Sequence, residues 1–241
     1  MQLIAAAVIA AALTPASAGA ADPGRWTMTG SSTRRARATT TSATSAGTRP
    51  KADAYWSRSS ATTPPAGNTC KTGSFGVADS ATLQWRYYVK LDPAYISKAM
   101  WAEISPDGQT IWTSSGDDLL GYRASAVKRA HAAPAGPVVT PSVRLRDAVP
   151  PTGITGATFY AGRLFVAGQD GDLFQVWSID ISTGARRLEI ERTIVGESEG
   201  LDDVVALGGV LHWQVQPYNT QGPPTYDPLN GTLLHFVPGT G

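Results

Sequence analysis

The sequence predicts an all-β fold: a partial β-propeller of about three to four visible blades, preceded by a disordered N-terminal segment. Three observations lead there. Stretches DGQTIWTSSGDDLLGY from Asp107, AGRLFVAGQDGDLFQVWSID from Ala161 and GGVLHWQVQP from Gly208 share a Gly-bearing turn, a short apolar strand and a second strand. Aligned on Trp112, Phe165 and His212, they recur at intervals of roughly 50 residues, the length of one four-stranded blade. The region between them and the N-terminus has a composition that cannot build a core.

Residues 1–20, MQLIAAAVIAAALTPASAGA, are an apolar run ending in small residues at Ala16, Ala18 and Ala20. That pattern is a secretory signal peptide with its cleavage site, and it predicts a secreted, extracellular protein. Thr14 and Pro15 interrupt the run too early for it to cross a bilayer, so no membrane span is expected.

Residues 21–74 are read as disordered or frame-shifted low-complexity sequence. From Thr27 to Ser74 there is no Val, Ile, Leu or Phe, so burial cannot offset the entropy of ordering the backbone. Basic residues gather between Arg25 and Arg58, with Asp53 the single acid. Runs of Ala, Arg, Thr, Ser and Gly are also what GC-rich coding DNA yields in a wrong frame, here between about Trp26 and Pro64. The nucleotide sequence of the gene discriminates the two readings.

The propeller-like domain is assigned to residues 75–241. Residues 82–91, TLQWRYYVKL, and 99–105, AMWAEIS, are rich in aromatic and branched side chains and read as strands. Ser105-Pro106-Asp107-Gly108 is a turn, because Pro sets one φ and Gly supplies a positive one. Residues 110–113 and 118–122 complete that unit. Residues 123–149 form a connection with one helical turn near 125–132 and a strand at 142–146. Four strands follow at 154–160, 163–167, 173–180 and 186–192, with turns at 161–162, 169–171 and 182–184. The last unit has strands at 201–207, 210–216 and 232–237, the latter two joined by a Pro- and Tyr-rich loop over 217–230.

SPDGQTIWTS, GRLFVAGQDG and VWSIDISTGA resemble blade motifs of secreted bacterial propellers of the TolB-like, gluconolactonase-like and YVTN-type groups. In gluconolactonase-like propellers a Glu-Gly pair at a blade entry supplies a metal-ligating carboxylate to the central channel. Glu199-Gly200-Leu201 matches that pair, so the resemblance implies Glu199 as a ligand. Glu197 and Asp202 beside it are further candidates, and the cation would be a divalent one such as calcium. A solvated acidic loop is the competing explanation.

Other motifs carry less chemistry. Gln169-Asp170-Gly171-Asp172 has the spacing of a calcium loop but lacks its remaining ligands, so a β-turn explains it better. Gly196-Glu197-Ser198-Glu199-Gly200 fits G-x-S-x-G without the strand–elbow–helix context that makes such a serine nucleophilic. Asn230-Gly231-Thr232 is a sequon better read as a hairpin turn. Cys70 is the single cysteine, so no intrachain disulfide and no Cys-based zinc site can form. His212 and Trp213, two further candidate binding residues, lie mid-strand, His212 being either a buried hydrogen-bonded imidazole or a residue facing a polar channel. Tyr218, Asn219 and Tyr226, in the long loop, offer aromatic and amide groups suited to a glycan or a peptide.

The formal charge of +1 gives no field that would favour nucleic acid. The sequence therefore points to an exported module that binds a small molecule, glycan or protein. The competing class is a metal-dependent lactonase or esterase using Glu199.

Overall fold

The computed structural model describes residues 26–35, 53–59, 73–79, 82, 84–130, 138–204, 210–219, 225–226 and 230–238. The described chain is almost wholly β-structure arranged in four antiparallel sheets, each built largely of strands consecutive in sequence. This is the blade topology of an all-β, partial propeller. The chain divides into two compact units.

The first unit lies mainly within Pro50–Pro150. Its three-stranded sheet has the order β2 (Asp53–Ser59), β3 (Gly73–Asp79), β4 (Trp85–Lys90). Its four-stranded sheet runs β5 (Glu103–Ile104), β6 (Thr110–Ser115), β7 (Asp118–Arg123), β8 (Val143–Leu145). A short helix, α1 (Ala124–Ala130), follows β7 where one helical turn is expected. Phe75, Val77, Val89, Leu91, Ile96, Ile111, Leu120, Tyr122 and Val127 form one core.

The 105–108 turn is built as its residues dictate. Gly108 has φ 70 and donates its N–H to the Ser105 carbonyl at 2.8 Å. The Asp107 carboxylate accepts from Ser105 Oγ at 2.5 Å and from the Gln109 N–H at 2.9 Å, which orders the loop before β6. The strand expected over 99–105 shrinks to Glu103–Ile104. Upstream of it, Trp101 is held by side-chain bonds instead: its Nε1 donates to Ser114 Oγ at 2.8 Å, and its carbonyl accepts from Thr113 Oγ1 at 2.7 Å.

The second unit holds two sheets. One has the order β12 (Arg186–Thr193), β11 (Leu173–Ile179), β10 (Arg163–Asp170), β9 (Gly156–Tyr160). The other runs β1 (Trp26–Arg35), β16 (Asn230–Pro238), β14 (Val210–Asn219), β13 (Gly196–Val204), with β15 (Thr225–Tyr226) on β14. Ala161 (φ 47), Gly162 (φ 79) and Gly171 (φ 56) make the two hairpin turns of the first sheet where turns are expected. Trp26, Phe165, Phe174, Val176, Ile190, Leu201, Leu211, Trp213, Val215 and Phe236 form the core between the two sheets.

Three features depart from the sequence reading. Within 21–74, expected to be disordered, the structure describes the strands β1 and β2 and the start of β3. Strand pairing needs only backbone donors and acceptors, which polar residues possess as fully as apolar ones. The remainder of that segment, Cys70 included, lies outside the described residues, as do residues 1–20. Strand β3, GSFGVAD, is buried almost throughout yet was not expected, because its glycines depress strand propensity. Gly73 is needed for close approach: a Cβ there would lie 3.2 Å from Ile96 Cγ2. Finally, Asn230 and Gly231 begin β16, paired with Arg35 and Arg34, rather than forming a hairpin turn.

Candidate functional site

Strand β13 carries the acidic motif and is placed by glycine. A Cβ on Gly156 of β9 would lie 2.5 Å from the Leu201 nitrogen and 2.6 Å from Gly200 Cα. Only glycine lets the two backbones approach so closely. A polar clamp fixes the start of the strand. Gln169 Nε2 donates to the Gly196 carbonyl at 3.2 Å, while its Oε1 accepts the Ser198 N–H.

Ser198 is buried and fully engaged. Its Oγ accepts from Trp213 Nε1 at 2.9 Å and shares a hydrogen bond of 2.7 Å with Thr155 Oγ1. This serine therefore pins β13 to its neighbours. It does not stand exposed on an elbow as a nucleophile would.

The pairing of β13 with β14 slips between Ser198 and Gly200, which leaves Glu199 at a bulge. Bulges re-aim side chains and lift them out of the ladder. Burial, and then the neighbouring Glu197 carboxylate, raise the Glu199 carboxyl from its usual 4.5 to about 7. Glu197 is thus near enough to Glu199 to add to that shift.

Beyond the bulge a row of polar residues crosses three strands. Asp202 on β13 is the Cα partner of His212 on β14, which in turn is the partner of His235 on β16. The imidazole rings meet edge-on, with centroids 4.5 Å apart. His212 Nε2 is buried without a hydrogen-bond partner, and its ring is held below the usual 6.5 by burial and by His235. Leu211, Trp213 and Val215 point to the opposite, apolar side.

Trp213, expected as a binding residue, belongs to that core. It is fully buried against Phe174 and Phe236, so no ligand reaches it. The alternation that places His212 on one side of β14 places Trp213 on the other. His235, in LHF, mirrors His212, in LHW, on the paired strand.

The long loop is partly a strand. β14 runs on past its pairing with β16, and its end pairs with β15: Tyr218 is the Cα partner of Tyr226, and Asn219 that of Thr225. The adjacent Tyr218 and Asn219 are thereby brought into one short ladder with Tyr226.

Among the described residues, no three His, Cys, Asp or Glu side chains converge as ligands. Glu199, Glu197 and Asp202 lie along one strand across a bulge.

The described residues contain no helix long and apolar enough to cross a membrane. No family model and no curated protein matches the sequence. Solved structures match it at low identity. A protein of a nidogen/laminin complex matches at 14% identity and a TM-score of 0.44, over 68% of this chain and 55% of that one. The luciferin-regenerating enzyme matches at 15% identity and 0.44, over 78% and 58%. The Dos1 propeller matches at 12% identity and 0.39, over 76% and 38%. The chain thus spans little more than half the length of the first two. The class, a partial β-propeller, rests on the sheet topology described above.

Proposed function

We propose that this chain is an exported binding module whose ligand is held on the β14–β15 arm. The supporting observation is the register that sets Tyr218 opposite Tyr226 and Asn219 opposite Thr225. Tyr218 and Tyr226 are opposed and so share one face of the ladder, Asn219 and Thr225 the other, and tyrosine rings combine a large apolar surface with a polar tip. Such a group suits a polar ligand with flat faces, as a glycan has. Ligand binding costs little reorganisation where backbone pairing already draws the contact residues together.

Binding to a glycan array is the test. Tyr218→Ala and Tyr226→Ala should each abolish or sharply weaken the signal while leaving the melting temperature unchanged. Retained binding in both variants refutes this placement. Export is tested separately: expressed with residues 1–20 in a secreting host, the chain should be recovered outside the cell with its new N-terminus near Ala21.

A hydrolytic reading draws on Glu199, set at the β13 bulge with its carboxyl raised by burial, an arrangement suited to general acid–base work. It predicts turnover of lactones or esters that survives chelation and disappears in Glu199→Gln. Absence of turnover leaves the binding role.

A further inference from the structure

Strand β1 and strand β16 come from opposite ends of the described chain, and their pairing completes a sheet. It runs from Trp26 opposite Pro238 to Arg35 opposite Asn230, with a register slip between Met28 and Gly30. The other edge of β16 is taken by β14, so β1 is what covers its remaining row of backbone groups. An uncovered edge of that length is a template for another strand.

Among the described side chains of β1, Trp26 is the buried one. Trp26 is buried, edge-on to Tyr160 and Phe165 at 5.4 and 5.7 Å, and its Nε1 lies 3.4 Å from Glu189 Oε2. The next residues, Thr27 and Met28, are exposed. The rest of the strand reads TGSSTRR, with no apolar side chain to add to a core. Residues 36–52, ARATTTSATSAGTRPKA, then lead to β2. This polar tether can extend over about 55 Å at its fullest reach.

We propose that β1 exchanges between two copies of this chain, each donating its strand to the β16 edge of the other. The reciprocal arrangement is a two-fold dimer in which Trp26 of each copy occupies the Tyr160–Phe165–Glu189 seat of its partner. A second copy is the fitting occupant because ladder, register and tryptophan seat already match this sequence. The exchange creates no new contact and removes none. Closed and exchanged forms therefore differ chiefly in the entropy of association and of the tether, and concentration decides between them.

The test links the two strands covalently. Thr27 and Val237 are Cα partners, and opposed residues of an antiparallel pair lie within disulfide range. Full-length Thr27→Cys/Val237→Cys, with Cys70→Ser, is concentrated, taken briefly through mild denaturant, returned to buffer and oxidised. Disulfide-linked dimers on a non-reducing gel are expected, in a proportion that rises with protein concentration. Intrachain-linked monomers alone at every concentration would overturn the proposal. Should that variant fail to fold, unlabelled and isotope-labelled wild-type chains are mixed, treated in the same way and weighed by native mass spectrometry. Mixed dimers suppressed by an excess of a synthetic peptide of residues 24–37 are expected. Monomers only, or dimers indifferent to the peptide, would overturn it.

Discussion

His212 and His235 face each other across β14 and β16 with ring planes 79° apart and centroids separated by 4.5 Å, and the buried Nε2 of His212 has no hydrogen-bond partner. Two imidazoles this close resist being charged together. Burial and the neighbouring His235 disfavour a charge on His212, and Asp202 is its Cα partner on β13.

The pH dependence of stability follows. Burial, then His235, lowers the His212 value below its usual 6.5, so the unfolded chain binds the proton more readily. The stability tied to the neutral ring is present above pH 6.5 and is lost as pH falls through the lower folded value. In thermal melts of wild type and His212→Gln, the variant should gain on wild type as pH falls below 6.5. A constant difference across that range would contradict the shift.

Glu199 has the opposite sign. With its carboxyl raised from 4.5 to about 7, stability tied to the protonated form is complete below pH 4.5 and lost as pH rises through about 7. Glu199→Gln, which keeps the shape without the charge, should therefore gain on wild type between pH 4.5 and pH 7 and hold that gain above it. Infrared titration of the carboxyl band offers a direct check. An ordinary carboxylate value in that titration would remove Glu199 from consideration as a proton carrier.

Gly156→Ala should destabilise by about 2–3 kcal/mol, because overpacking against backbone cannot be relieved by a side-chain rotation. The new methyl would sit 2.5 Å from the Leu201 nitrogen. Gly231→Ala, whose nearest neighbour would be 3.9 Å away, should stay within about 0.5 kcal/mol of wild type in denaturant melts. Equal effects at both positions would mean that β9 and β13 are not in contact.

Ser198→Ala should cost roughly 2 kcal/mol by leaving the buried Trp213 Nε1 without an acceptor. Adding Trp213→Phe removes that orphaned donor. The double variant should therefore be less unstable than the sum of the two single changes. Simple additivity in urea melts would show that the bond is not made.

Chelators and added calcium should leave the melting temperature unchanged, since no three ligating side chains converge among the described residues. A rise of several degrees with calcium would restore Glu199, Glu197 and Asp202 as a metal group.

Much of the architecture was legible along the chain. Turn chemistry at Gly108, Ala161-Gly162 and Gly171, together with the apolar runs of β10 and β11, located strands and hairpins within a few residues. Those signals are local: a positive φ or an alternating side chain is dictated by a residue and its immediate neighbours. The chemistry-bearing loop residues Tyr218, Asn219 and Tyr226 were also visible by type. What had no local signal came from pairing at a distance. Glycine-rich β3 and polar β1 are strands because other strands supply their hydrogen bonds. The bulge at Glu199, the meeting of His212 with His235 and the burial of Trp213 depend on the register of β13, β14 and β16, which joins residues far apart in sequence. The sequence by itself determined which residues turn, alternate and carry reactive groups. Tertiary structure alone decided which of those groups are buried, paired or opposed, because burial and proton affinity are properties of surroundings that distant strands create.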